Sequence, residues 1–443
     1  MERIFKRKLY DRLLQWKSQR NGRTAILIEG ARRVGKSTIA SEFARNEYDS
    51  HIIIDFNKAS KQVSALFDDL MDLDYIFMRL QLIYNVELME RKSVIVFDEV
   101  QKCPQARQAI KYLVADGRYD YIETGSLISI KQNTKNITIP SEEERVSLHP
   151  MDFEEFLWAL GDTVTMPLLR NFLSSRKPLK EAHRPKMRDL RLYMLIGGMP
   201  QAVNEYLASN NLSRVDLVKR DILNLYKDDF VKLDSTGRLE QCFMNIPAQL
   251  SSNSNRYKPH SAIGEVNDRR FTDMLSELSD SKTVTFAYHT DDPNVGMSLT
   301  KNLSKYKIFC ADTGLFITLA FWDKDYTENV IYQKLLSDKL PANLGYVYEN
   351  LVAQMLTAAG YRLFYHTWAK DDTHNYEIDF LITQGAKLIP IEVKSSGYRT
   401  HASLDAFARK YSQVVARKLL IYTKDYGNDE DTTLLPAYMT PLL

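Results

Sequence analysis

The sequence predicts an α/β protein whose N-terminal third is built on a parallel sheet. Three observations predict it. Short β-rich runs alternate with helical stretches from Thr24 to about Phe156. The first run leads into a glycine-bearing loop and then a helix. A later apolar run stops at two consecutive carboxylates. Such alternation favours parallel strands, because each parallel pair needs a long crossover and a helix supplies it.

The runs read as strands are Ala25–Glu29, Ile52–Phe56, Val94–Phe97 and Tyr119–Glu123. From Phe153 to about Phe230 the pattern is helical. Leu168–Leu192 holds eight Lys/Arg against two Asp/Glu, a solvated basic face. Gly197-Gly198-Met199-Pro200 breaks the helical pattern. From about Leu239 to Leu319 short helices precede β-like runs at Thr283–Tyr288 and Tyr306–Cys310, an order that fits a winged helix-turn-helix. On its helix, Arg269 and Arg270 are candidates for meeting nucleic-acid phosphates. Leu335–Asn343 reads as a connector. The helix Gly345–Ala359 is stopped by Gly360, and runs at Tyr361–His366, Tyr376–Ile382 and Leu388–Lys394 follow.

Composition sets bounds on function. The 443 residues are 44% hydrophobic and 26% charged, which suits a globular protein with ample core. At roughly 100–200 residues per domain, two to four domains are expected. A net charge of +2 neither requires nor forbids a nucleic-acid partner. Cys103, Cys242 and Cys310 are isolated, so neither a disulfide framework nor a zinc site is indicated. The N-terminus lacks the apolar core of a signal peptide. No apolar run approaches the ~20 residues a membrane span needs. A cytoplasmic protein with no membrane partner is expected.

Gly30-Ala31-Arg32-Arg33-Val34-Gly35-Lys36-Ser37 fits the phosphate-loop pattern GxxxxGK[ST]. The glycines let backbone N–H groups turn inward around phosphates. Lys36 reaches the β- and γ-phosphates, and Ser37 offers its hydroxyl to Mg²⁺. Thr38 opens the following helix, whose N-terminus adds partial positive charge. These residues predict an ATP site. Val94-Ile95-Val96-Phe97-Asp98-Glu99 supplies its acids. Asp98 suits the Mg²⁺ shell together with Ser37. Glu99 suits the base that polarises the attacking water. Thr124-Gly125-Ser126 ends the next strand with small polar groups that can sense the γ-phosphate. Arg145 is a candidate for stabilising transition-state charge.

A second constellation lies near the C-terminus: Glu377-Ile378-Asp379-Phe380 and Ile391-Glu392-Val393-Lys394. Strand side chains alternate faces. Two adjacent strands then bring Asp379, Glu392 and Lys394 onto one surface, with Glu349 on the preceding helix closing the cluster. Two acids that hold Mg²⁺ (Asp379 and Glu392) beside a lysine that orients water make a metal-nuclease arrangement. The chain beyond Ile331 carries twelve Lys/Arg and twelve Asp/Glu, so no strong electrostatic clamp on DNA is indicated.

The motifs carry a resemblance. GARRVGKS at Gly30–Ser37, FDEVQK at Phe97–Lys102 and Thr124-Gly125-Ser126 are joined by Pro150–Phe156, Gly197–Pro200, Asp312-Thr313-Gly314-Leu315 and the EIDF … IEVKSS pair. In this order they resemble AAA-type, archaeal-ATPase-like proteins with a C-terminal PD-(D/E)XK, restriction-endonuclease-like domain of unknown function. The resemblance implies an ATPase core over residues 1–160, a helical lid over 161–235, a winged-helix-like segment over 236–325 and a nuclease-like α/β domain over 330–443. It assigns no substrate. The GGMP and DTGL motifs suggest no chemistry and read as packing turns.

Three functions stay open on this reading. The first is an Mg²⁺-dependent ATPase coupled to DNA binding or processing. The second is an ATP-gated signalling or defence scaffold whose nuclease-like domain only binds a partner protein. The third is a nuclease gated by ATP. Oligomerisation is compatible with all three.

Overall fold

The computed structural model describes residues 3–126, 140–252, 256–258, 268–294, 296–323, 336, 345–396 and 400–443. The expected connector at Leu335–Asn343 lies outside them except for Leu336. The side chain of Arg269 is likewise outside the described residues, whereas Arg270 is paired with Asp234 at 2.9 Å. The chain divides into two compact units, Met1–His149 with Asp280–Lys282, and Pro150–Ser279 with Thr283–Leu443.

The first unit is built on β1 (Ala25–Glu29), β2 (Ser50–Asp55), β3 (Ser93–Asp98), β4 (Asp120–Gly125) and β5 (Glu143–Ser147). Their order is β2-β3-β4-β1-β5, and every pairing is parallel. Side chains alternate between the two faces, as strand geometry requires. Ile26, Ile28, Val94, Val96 and Ile122 pack with the helices Leu9–Arg20 and Lys36–Glu47. Ala25, Leu27, Ile52, Ile54, Ile95 and Phe97 pack against the helices Leu73–Tyr84 and Pro104–Asp116. A sheet covered on both faces has nearly continuous apolar strands, and β1, β3 and β4 are buried along their whole length. The parallel sheet expected from the sequence is therefore present, and its strand ends converge where β1 enters the phosphate loop.

The second unit contains an eight-stranded sheet ordered β12-β13-β11-β10-β9-β8-β6-β7. Its strands are β6 (Val284–Thr290), β7 (Lys301–Cys310), β8 (Leu363–Ala369), β9 (Asn375–Gln384), β10 (Lys387–Val393), β11 (Lys418–Tyr422), β12 (Gly427–Asp429) and β13 (Thr432–Pro436). Here the expectation of a winged-helix ribbon needs correction. The β6–β7 ribbon exists, but it extends the C-terminal sheet. β6 retains an open edge after pairing with β7, and Ala287–His289 fill it by pairing in parallel with Leu363–Tyr365. Ala287, Tyr306, Ile308 and Phe309 are buried as a result, which a solvated wing would not require.

The motifs without apparent chemistry meet in this unit. The Gly198 N–H donates to Asp312 Oδ2 at 2.6 Å, and Asp312 Oδ1 accepts from the Leu315 N–H at 2.8 Å. Met151 N–H donates to Gly198 O at 2.7 Å. A β-carbon on Gly198 would lie 2.0 Å from Met151 O, so only glycine permits this approach. Tyr193 donates to Met151 O and accepts from Gln354, each at 2.8 Å, and Gln354 accepts from Thr313. Lys219 donates to Leu195 O at 2.7 Å and Gly314 O at 3.2 Å. The PMDFEEF, GGMP and DTGL motifs thus form one buried packing junction. Their polar groups are satisfied by one another, as burial demands.

Candidate functional site

The phosphate loop follows from local chemistry. β1 is fully apolar until Glu29, and the chain then turns sharply. Gly35 holds φ of +101° and Arg33 φ of +68° before the helix begins at Lys36. Lys36 is buried, and its ammonium donates to Gly30 O and Ala31 O, both at 3.0 Å. Burial lowers its pKa, while Glu99 and Asp98 partly offset that effect. Ala31 and Val34 are core residues, whereas Arg32, Arg33 and Thr38 are exposed.

The acids arrive at the end of β3. Ser37 Oγ donates to Asp98 Oδ1 at 2.6 Å, and Thr124 Oγ1 donates to the same oxygen. Thr124 Oγ1 also accepts the Glu99 N–H at 3.2 Å. Glu99 sits at φ of +56°, an uncommon conformation for a residue bearing a β-carbon. Its Oε2 accepts from Gln101 Nε2 at 2.5 Å. The predicted residues Ser37, Asp98, Glu99 and Thr124 are therefore joined by hydrogen bonds, and Asp98 and Glu99 act electrostatically on Lys36. The hydroxyl and carboxylate of Ser37 and Asp98 fit Mg²⁺, which takes few protein oxygens and completes its shell with water and phosphate.

Two residues of this site escape sequence reasoning. Arg7 is buried, and it donates to Val34 O at 3.0 Å and His149 O at 2.6 Å. It thereby ties the phosphate loop to the segment that leaves β5. No motif marks it, since an arginine before the first helix resembles any surface cation. Gln101 lies inside a recognised motif, but only its bond to Glu99 gives it a role.

Arg145 does not belong to the group. It pairs with Glu143 at 2.8 Å, and its strand position is opposite Leu27, before the loop begins. Glu143 also meets the buried Arg107 at 2.7 Å, with Glu123 beside it. Burial pushes the Glu123 carboxyl well above the usual range; Arg107 opposes this and Glu143 reinforces it. This is a buried charge cluster under the sheet, not part of the phosphate site.

In the second unit, β9 and β10 are antiparallel with Ile391 opposite Phe380. Continuing that register by one step sets Glu392 beside Asp379. Asp379 Oδ2 accepts the Val393 N–H at 2.7 Å. Lys394 pairs with Glu392 Oε1 at 2.6 Å, whereas Glu392 Oε2 is buried without a hydrogen bond. The expected trio is thus gathered on one surface. A further lysine joins it. Lys307, on β7, is buried; it pairs with Glu377 and lies 3.6 Å from Glu349 Oε2. Burial pulls the Lys307 pKa down, but Glu349, Glu377 and Asp379 outweigh it and hold the ammonium charged. Burial raises the Asp379 carboxyl, and Glu349 adds to the effect while Lys307 opposes it. The sequence does not reveal Lys307, because its strand reads as part of a separate segment.

Among the described residues, no group of three or more His, Cys, Asp or Glu side chains is disposed to hold a metal ion. Among the described residues no helix is long and apolar enough to cross a membrane.

Comparison with known proteins bears on the first unit. Residues 22–157 match the family described as AAA domain. Residues 187–326 and 344–439 match two domains of unknown function, DUF8612 and DUF4143. No curated protein matches. Among solved structures, the Walker-type ATPase of Pyrococcus abyssi is 17% identical, with a TM-score of 0.41, over 71% of this chain and 96% of that one. The ORC1 protein of Aeropyrum pernix, solved in complex with DNA, is 12% identical with a TM-score of 0.28, over 76% and 94% of the two chains. A STAND protein of Pyrococcus horikoshii with a tetratricopeptide repeat sensor is 14% identical with a TM-score of 0.27, over 81% of this chain and 50% of that one. These are distant likenesses. The matched segment and the connected loop, serine and acids agree on the coarser identity: the chain carries an AAA-type P-loop ATPase domain.

Proposed function

We propose that the chain hydrolyses ATP with Mg²⁺ and couples the nucleotide cycle to DNA binding or processing by its C-terminal unit. The observation that carries the first half is the connection of Ser37, Asp98, Thr124 and Glu99 at the mouth of the phosphate loop. Ser37 and Asp98 would hold Mg²⁺, which would supply charge neutralisation at the phosphates. Lys36 and the loop N–H groups orient the phosphates. Glu99, positioned by Gln101 and Thr124, accepts a proton from water as the water oxygen bonds to the γ-phosphorus. The bond to the bridging oxygen breaks, and its electron pair leaves with ADP. Thr124 reports on this geometry, because its hydroxyl touches Asp98 while accepting from Glu99.

The second half is supported by Asp379, Glu392 and Lys394 sharing one surface. The test is cleavage and binding of plasmid, linear and branched DNA with Mg²⁺ or Mn²⁺, with and without ATP. The expected result is ATP-responsive binding or cleavage that Lys36→Ala abolishes, with cleavage also lost in Asp379→Ala. Absence of both binding and cleavage at low salt would sink the DNA reading.

One observation favours a second reading, the ATP-gated scaffold. The acids Glu349, Glu377 and Glu392 are already paired with lysines. Under that reading Asp379→Ala leaves every activity intact, and the C-terminal unit acts by binding a partner protein.

A further inference from the structure

The C-terminal cluster contains four carboxylates, those of Glu349, Glu377, Asp379 and Glu392, within reach of two ammonium groups. Lys394 follows directly on the strand that carries Glu392, and its side chain is 39% exposed. Lys307 differs. It comes from β7, two strands beyond β8 in the sheet order, and only 7% of its side chain is exposed. Its ammonium pairs with Glu377 and faces Glu349. An ammonium that deep is tolerated only where carboxylates compensate it. The converse holds as well: these carboxylates are tolerated together because a cation stands among them. A divalent ion and a buried lysine are alternative answers to the same excess of negative charge.

We propose that Lys307 is a built-in counter-ion that keeps divalent cations out of the Asp379–Glu392 site in this conformation. The proposal concerns regulation of the site invoked above, so it rests on that site's location, though not on cleavage. Two features support it. The ammonium engages Glu349 and Glu377, whose charges and its own all act on Asp379. Glu392 Oε2 is buried and without a hydrogen bond, so one carboxylate oxygen beside Asp379 can take a cation.

The test is a Mn²⁺ titration of the full chain without nucleotide, followed by the paramagnetic resonance signal of free Mn²⁺. All proteins carry Asp98→Asn, which silences the metal position of the ATP site. The parent is expected to show no binding that depends on Asp379. Lys307→Met is expected to gain one Mn²⁺ per chain, bound about tenfold or more tighter than any Mn²⁺ the parent takes up, and Lys307→Met with Asp379→Asn to lose it again. Lys307→Arg, which keeps the charge, is expected to keep the site closed. Thermal melting of each variant shows whether it is folded. The proposal is overturned if the parent binds Mn²⁺ at an Asp379-dependent site, a result that needs no Lys307 variant to fold. It is overturned equally if folded Lys307→Met gains no Mn²⁺. A gain of Mn²⁺ without DNA cleavage would support the counter-ion role and count against the nuclease reading alone.

Discussion

Two places in this molecule bring strand-end carboxylates together with a buried lysine, and they differ in what the lysine holds. At the end of β3, Lys36 donates to Gly30 O and Ala31 O, while Asp98 is held by the hydroxyls of Ser37 and Thr124. The lysine's direct partners are neutral carbonyls, so no carboxylate pairs with the ammonium and it remains available to a polyanion. On β9 and β10 the lysines hold the acids themselves, and charge cancels charge. The same residue types therefore make an open phosphate site in one unit and a closed cluster in the other. Which groups satisfy a buried charge decides whether it can act on a ligand.

The largest expected effect tests the first half of this contrast. Lys36→Met should lower phosphate release from ATP by about a hundredfold or more, the scale of losing a group aimed at developing charge. Its melting temperature should hold or rise, because an apolar residue replaces a buried cation. Hydrolysis at the wild-type rate would show that the charge at Lys36 is not used.

A third lysine sharpens the contrast from the structural side. Lys219 donates to Leu195 O and Gly314 O within the packing junction, near Asp216 and Asp312 with Arg220 beside it. Burial lowers its pKa from 10.5 to about 8, and Asp216 and Asp312 only partly compensate. Between those values the unfolded chain binds more protons than the folded one, so this residue makes stability rise with pH across the window. The contribution is about 3 kcal/mol, because each tenfold loss of proton affinity corresponds to about 1.4 kcal/mol. Melting curves of wild type and Lys219→Met from pH 7 to 10.5 should diverge by that slope. Parallel curves would mean that Lys219 is compensated as fully as Lys307.

A smaller effect is expected at Arg7. Removing its bonds to Val34 O and His149 O should loosen the phosphate loop without touching ATP. Arg7→Ala should lower kcat/KM for ATP about tenfold, as expected for a misplaced site, and Arg7→Lys should recover part of it. An unchanged kcat/KM would reduce Arg7 to a packing role.

Much of this is legible in the sequence where local chemistry decides. β1 needs no tertiary context, because an apolar run before a glycine-bearing loop has few other fates. Asp379 and Glu392 are legible because strand alternation alone puts them on one face. The ribbon is misplaced for the opposite reason. Its hydrogen bonding to β8 links Ala287 to Leu363, a pairing that no local pattern announces. Lys307 is lost with it. Arg7 is hidden because its partners are backbone carbonyls far away in sequence. Gly198 and Asp312 stand out as motifs without an evident purpose, since their meaning lies in a contact between motifs.

The most direct test of the account is the Glu99→Gln variant. ATP affinity and single-turnover hydrolysis would be measured on the full chain with Mg²⁺. The account predicts binding within a few-fold of wild type and hydrolysis slower by about 10²–10⁴, the range for losing a positioned general base. Hydrolysis at the wild-type rate with binding intact would contradict the assignment of Glu99 and, with it, the proposed mechanism.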